Sequence, residues 1–373
     1  MNYVGTVNKI QYSRLKSIDG LRGIACLLVV CFHFFYETFK NNSSELYNFY
    51  TRFIFDGQIA VAIFFIISGE ALSASFIERQ DAASIFRPAI KRWPRLSIPV
   101  FFSAALVFFI SKMHLVYNQQ ASVVVNGQNW LGSFLKSPPH VIKVLTFSFI
   151  SVFGKPSTSS PNPFLWTMHF EFIGSFFLFF LFFLFYKNVP YLIPFFTIIM
   201  FPFLSIYSRV FLPCFILGFL ICYARKNGFF QRIQSIKKSE FLLPAIIAIF
   251  FIIDVNSENF YFSDEFLFFK TGFLIIFLLS NVKVCNFLDS KPIQFLGKIS
   301  FPLFLIQFPV LISFTSFLII KYYTSSAPLS PIAIATTSVM FSILLSTIFY
   351  PVEILTQNIC NSIYKKAKLF FRI

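Results

Sequence analysis

The chain has 373 residues, of which 57% are hydrophobic and 12% charged, and its mean hydropathy is +0.73. Those values exclude a water-soluble globular domain and place it among membrane proteins. Its net charge of +16 would point to nucleic acid in a soluble protein. Here the basic residues lie between apolar runs, so they point to orientation in a bilayer and contact with anionic membrane lipids, not to nucleic acid.

Residues 1–16 are polar, and the first apolar run reads as a full span rather than a cleaved leader. That span, 19–38, carries charge at membrane depth. At 100° per residue, Asp19, Arg22, Cys26, His33 and Glu37 fall on one stripe. Arg22 and His33 stand roughly 16 Å apart along it. Charges so placed normally face a protein interior or a wet cavity and mark a function. The alternative is that the terminal charges snorkel and His33 is a hydrogen-bonded core residue. Residue chemistry alone leaves both readings open.

Further apolar runs follow at 57–77, 96–113, 164–186, 190–206, 209–224, 241–254, 265–280, 297–320 and 331–355. They predict an all-α polytopic bundle of about ten transmembrane helices, organised as a single domain over 1–373. Lys and Arg are concentrated in alternate connections, which include Arg79 to Arg95, Arg225 to Lys238 and Lys283 to Lys298. By the positive-inside rule both termini are expected in the cytoplasm. The one long connection, about 114–163, is then outside, and a connection of that length suits a lid or binding loop. Within it the apolar stretch from His140 to Phe153 is too short to cross; it lies on the membrane or re-enters. Six cysteines with no CxxC pair read as small apolar residues, with no disulfide or metal framework.

Several polar residues interrupt the spans. Ser68-Gly69 suits a close helix contact, and Glu70 beside it needs a partner such as an Arg, unless it lines a cavity. Arg92 and Arg95 lie in a basic flank with a Trp anchor. Counted from the outer ends of their helices, Glu171 lies about 12 Å deep and His33 about 7 Å, so the two are expected to meet. His169 does not share a face with Glu171 and reads as packing. The partner of Lys270 is not apparent.

The motifs Ile18-Asp-Gly-Leu-Arg-Gly-Ile-Ala25 with His33, Phe64-Phe-Ile-Ile-Ser-Gly69, Arg92-x-x-Arg95 with Pro99, Leu165-Trp-Thr-x-x-x-Glu171, Leu296-Gly-Lys-Ile-Ser300 and Tyr350-Pro-Val-Glu353 occur in this order. Together they resemble the acyltransferase-3 family, polytopic enzymes of the cytoplasmic membrane in bacteria that move acyl groups, often acetyl, onto surface sugars. The resemblance implies transfer from cytoplasmic acyl-CoA, with acetyl-CoA as donor and no metal, to a hydroxyl of an extracytoplasmic carbohydrate. It implies that His33 acts as general base, with Glu171 orienting the imidazole and Arg22 holding the donor or stabilising negative charge. Arg14, Lys16, Arg92 and Arg95 would clamp the phosphates of the donor. Asp19, Ser68, Glu70 and Trp166 would line the substrate cavity. Two positions depart from the pattern: Glu70 stands where an aromatic is normal, and Gln307 where His is common. They keep open a non-catalytic relative, and a transporter or flippase for a lipid-linked sugar is the rival from another class.

Overall fold

The computed structural model describes residues 16–154, 160–185, 211–236, 241–256, 264–324 and 329–371. The described residues are helical, with no strand among them. Helix α1 is Lys16–Cys31, continued by a π-helical turn, Phe32–Glu37. There follow α2 Phe49–Ile54, α3 Gly57–Arg79, α4 Ala82–Lys112, α5 Asn118–Val124, α6 Val141–Phe149 and α7 Thr167–Leu184. The second half holds α8 Phe211–Lys226, α9 Phe229–Gln234, α10 Leu242–Asn256, α11 Asp264–Ser280, α12 Val282–Leu288, α13 Lys291–Val310 and α14 Pro331–Phe371. Helix α13 runs on through two further π turns to Tyr323.

Among the described residues, six helical stretches are long and apolar enough to cross a membrane, or seven if α11 and α12, bent by 91°, form one span. Of the about ten spans expected, the one at 190–206 lies outside the described residues. Those at 209–224 and 241–254 appear as α8 and α10, with 16 and 15 residues. Helices of that length rise about 24 Å, short of a ~30 Å hydrocarbon core.

Two helix crossings fix the bundle. Gly69 of α3 and Gly218 of α8 lie at one of them. A Cβ on Gly218 would collide with the Ile66 carbonyl, and one on Gly69 with Phe215 backbone. At the other, Gly23 of α1 lies on the backbone of Gly297 in α13, and Gly297 in turn lies on the Asp19 carbonyl. Small residues let helices approach this closely, and dispersion at the contact replaces the hydrophobic drive that lipid removes. The packing expected for Ser68-Gly69 is therefore present at Gly69, while Ser68, the neighbouring residue, points elsewhere.

Helix α4 holds 31 residues and α14 holds 41. At 1.5 Å per residue they rise about 46 and 60 Å, more than a bilayer core requires. The basic flank expected to precede the third span is thus part of the same helix, despite Pro88, Pro94 and Pro99. Its Arg87 and Lys91 lie over the ring of Tyr364 on α14. The stretch from His140 to Phe153 packs on α4: Trp93 Nε1 donates to the Phe149 carbonyl at the end of α6, and Phe101 stacks on Phe149. The next turn reaches His169, whose Nδ1 is 2.7 Å from the Phe153 carbonyl, so His169 serves packing as expected.

Replacing Gly218 with Ala should therefore lower the thermal midpoint in detergent by several degrees, since overpacking costs about 1–3 kcal/mol. Gly154→Ala, whose Cβ would meet only ordinary contact, should leave it unchanged. Equal midpoints for both variants would mean that the crossing is looser than described.

Candidate active site

A cavity of about 620 Å³ opens at one end of the bundle. Its walls come from α1, α3, α4, α7, α8, α13 and α14, and its size suits a small-molecule ligand. Arg87, Lys91 and Arg95 of α4, Arg225 of α8 and Lys298 of α13 line it together with Glu78 and Glu353. Arg87, Arg95 and Lys298 are exposed at its mouth. These cations come from three connections that the charge count assigned to the same side, and the fold gathers them around one opening.

Deeper in, the charges are buried and paired. Arg92, 8% exposed, forms an ion pair with Glu171, and Ser68 Oγ donates to the same carboxylate oxygen at 2.6 Å. Glu70, 5% exposed, pairs with Arg225 and lines the cavity, so both readings of this residue hold at once. Arg22 also lines the cavity and is bonded to Asp19 at 3.0 Å, one turn back on α1. Thr167 Oγ1 and Arg92 Nε are buried atoms of the lining with no hydrogen-bond partner among the described residues. Buried donors are normally satisfied, so these two atoms are suited to a bound ligand.

His33 does not line the cavity. Its Nδ1 is 3.0 Å from Gln307 Oε1, its ring stacks on Phe164 at 4.0 Å, and Trp130 of the connection between α4 and α7 approaches to 6.1 Å. Phe304 and Thr167 line the cavity. Gln307 is three residues after the first, and Phe164 three before the second. The ring is thus roughly 5 Å past the lining, one helical turn on each side. The π turn Phe32–Glu37 widens α1 at this point. Such bulges occur often at functional sites. Thr38 Oγ1 closes the turn by donating to the His33 carbonyl at 2.7 Å.

The expected meeting of Glu171 with His33 does not occur. Glu171 is bound by Ser68 and Arg92, and Gln307 occupies Nδ1 of the ring. The reason is where the helix begins. Buried Asn162 donates to Ser103 Oγ at 3.0 Å, nine residues before the end of α4, so α7 starts deep in the bundle. Glu171 is seven residues past the Phe164 that touches His33, about 10 Å further along.

Other expected site residues are placed as follows. Ser68, Glu70, Arg22, Arg92 and Arg95 share the cavity. Asp19 supports Arg22 rather than lining the cavity. Lys16 is exposed, does not line it, and receives a bond from Gln294 at its carbonyl. Trp166 also lies off the cavity, with Phe170 and Phe211. Arg14 is outside the described residues. Sequence reasoning gave no site role to Arg225, Thr167, Phe164 or Trp130. Arg225 is 155 positions from Glu70, so no local spacing could have joined the two.

The sequence profile of the acyltransferase-3 family, described as an acyltransferase domain, matches residues 15–351, nearly the whole chain. The chain belongs to the acyltransferase-3 family. As an acyltransferase-3 protein with several long apolar helices, it is a multi-pass membrane acyltransferase. No curated protein and no solved structure matches this family member at a significant level.

Removing one partner of the Glu70–Arg225 pair leaves a buried charge, at a cost of about 3–5 kcal/mol. Arg225→Leu should therefore destabilise the protein sharply, whereas the double variant Glu70→Leu/Arg225→Leu should regain most of the lost thermal stability. A double variant no more stable than the single one would show that the pair is not the reason.

Proposed function

We propose that the protein transfers an acyl group, acetyl in the first instance, from cytoplasmic acyl-CoA to a hydroxyl of an extracytoplasmic carbohydrate. The observation that carries this reading is the polarity of the cavity: exposed cations at the mouth, orphaned buried donors inside, and a histidine one turn past its lining. Guanidinium and ammonium groups match phosphate oxygens, so the donor's phosphates sit among Arg87, Lys91 and Arg95. The pantetheine arm runs inward past Arg22 and Ser68. Thr167 Oγ1 and Arg92 Nε are the groups available to its amides and to the thioester carbonyl.

The acceptor hydroxyl approaches from the opposite side, beneath the outer loop. That loop is ordered by its own amides: Asn118 and Gln119 donate to the carbonyls of Leu131, Gly132 and Phe134, which holds Trp130 near His33. His33 takes the hydroxyl proton as the oxygen attacks the thioester carbon. Arg22, roughly 16 Å from His33 along α1, holds the donor, and buried donors at the Thr167 end of the cavity stabilise the tetrahedral oxyanion. Its collapse breaks the carbon–sulfur bond, and the leaving thiolate receives the proton from the imidazolium. Glu171 holds Arg92 and Ser68 in place and has a structural part in this scheme rather than a hold on the ring.

Free thiol released from acetyl-CoA, by membranes supplied with acceptor, is the direct test. His33→Ala should lose transfer by at least about 10²-fold while inserting normally. Arg95→Ala should raise the KM for acetyl-CoA roughly tenfold, the ~1.4 kcal/mol of one charge-assisted contact. Substrate movement without thiol release would favour a transporter instead.

A further inference from the structure

We propose that Gln307 fixes the tautomer of His33, so that Nδ1 carries the ring proton and Nε2 is left as the proton acceptor. The inference rests on the acyl-transfer reading for its consequence, and on three local observations for its substance.

Gln307 is fully buried in α13. Its Oε1 is 3.0 Å from His33 Nδ1, and its Nε2 donates to the Phe304 carbonyl at 3.2 Å. The second bond decides the first. Rotating the amide by 180° would set Oε1 against the Phe304 carbonyl, two acceptors facing each other with no proton between them. It would also turn the NH₂ toward the ring. A carbonyl cannot donate, so the amide keeps its oxygen on the imidazole. An amide oxygen in turn can only accept, so Nδ1 holds the hydrogen. In a neutral ring Nε2 then has the free lone pair.

The surroundings leave Gln307 alone in this role. Among the described residues, the rings that meet the imidazole are Phe32, Trp130 and Phe164, none of which titrates. Along α1 the charged neighbours are committed elsewhere: Arg22 to Asp19, and Glu37 to Lys40 at 2.8 Å. Glu171 is held by Arg92 and Ser68. A carboxylate behind the ring would stabilise imidazolium and slow its return of the proton; an amide sets orientation without adding charge. Gln307 is thus a positioning residue, and its inability to act as a base is no obstacle.

The test reads the ring directly. In protein labelled with ¹⁵N-histidine and kept above neutral pH, the His33 nitrogens are identified by their loss in His33→Gln. Wild type should show a protonated Nδ1 and a bare Nε2. Gln307→Leu should show a mixture or the reversed tautomer, with kcat reduced by roughly 10²–10⁴-fold, as when a base is misprotonated, and with the KM for acetyl-CoA unchanged. Gln307→Glu, which keeps the acceptor, should retain the Nδ1–H tautomer but move the acidic limb of the pH–kcat profile upward. A bare Nδ1 in wild type, or an unaltered tautomer in Gln307→Leu, would overturn the assignment. Full transfer by His33→Ala would overturn the parent reading alone, because the ring's protonation is observed without turnover.

Discussion

A charge placed among lipid-spanning helices must find a partner, and that requirement organises the interior of this protein. The cost of an unpaired ion in a low dielectric is several kcal/mol even after relaxation. Arg92 meets it with Glu171, Arg225 with Glu70, and Lys270 with Asp254 at 2.5 Å. Two of these three pairs lie on the wall of one cavity and bridge different helices, so the pairing that makes the charges tolerable also ties α3 to α8 and α4 to α7. The remaining capacity of those groups, together with Thr167 Oγ1, is what a ligand could use.

The glycines set the distances over which this works. Gly69 is flanked by Ser68 and Glu70, and its missing side chain lets α8 come close enough for Arg225 to reach Glu70. Gly23 and Gly297 do the same for α1 and α13. On that second crossing the stripe of α1 finds its complement: Cys26 Sγ donates to the Ser300 carbonyl at 3.0 Å, and His33 reaches Gln307. Backbone proximity at one end of a helix pair thus sets the side-chain register at the other.

Much of this was legible in the sequence because it depends on composition and local spacing. Apolar run length predicts the helices, and the cost of burying Glu70 predicts an Arg partner or a cavity wall. Depth was not legible. Ranking Glu171 and His33 by distance from their helix ends assumes that the ends are level. Asn162, by bonding Ser103 and starting α7 deep in the bundle, makes them unequal. The same blindness applies to Arg225, a member of a basic connection by sequence and a cavity residue by tertiary contact. Gln307 looked like a loss against the family pattern because its sequence position says nothing of what its amide faces. The packing of α6 against α4 rests on the Trp93 contact, which no local spacing announces.

In the proposed reaction the cavity takes a phosphate-bearing thioester and the aromatic surroundings of His33 take an alcohol, with about one helical turn between them. The most direct test is a structure determined with a non-transferable acetyl-CoA analogue. The account predicts phosphates among Arg87, Lys91 and Arg95, with the acyl carbonyl at the Thr167 end, toward His33. Phosphates bound on the outer-loop side, or an acyl group directed away from His33, would contradict it.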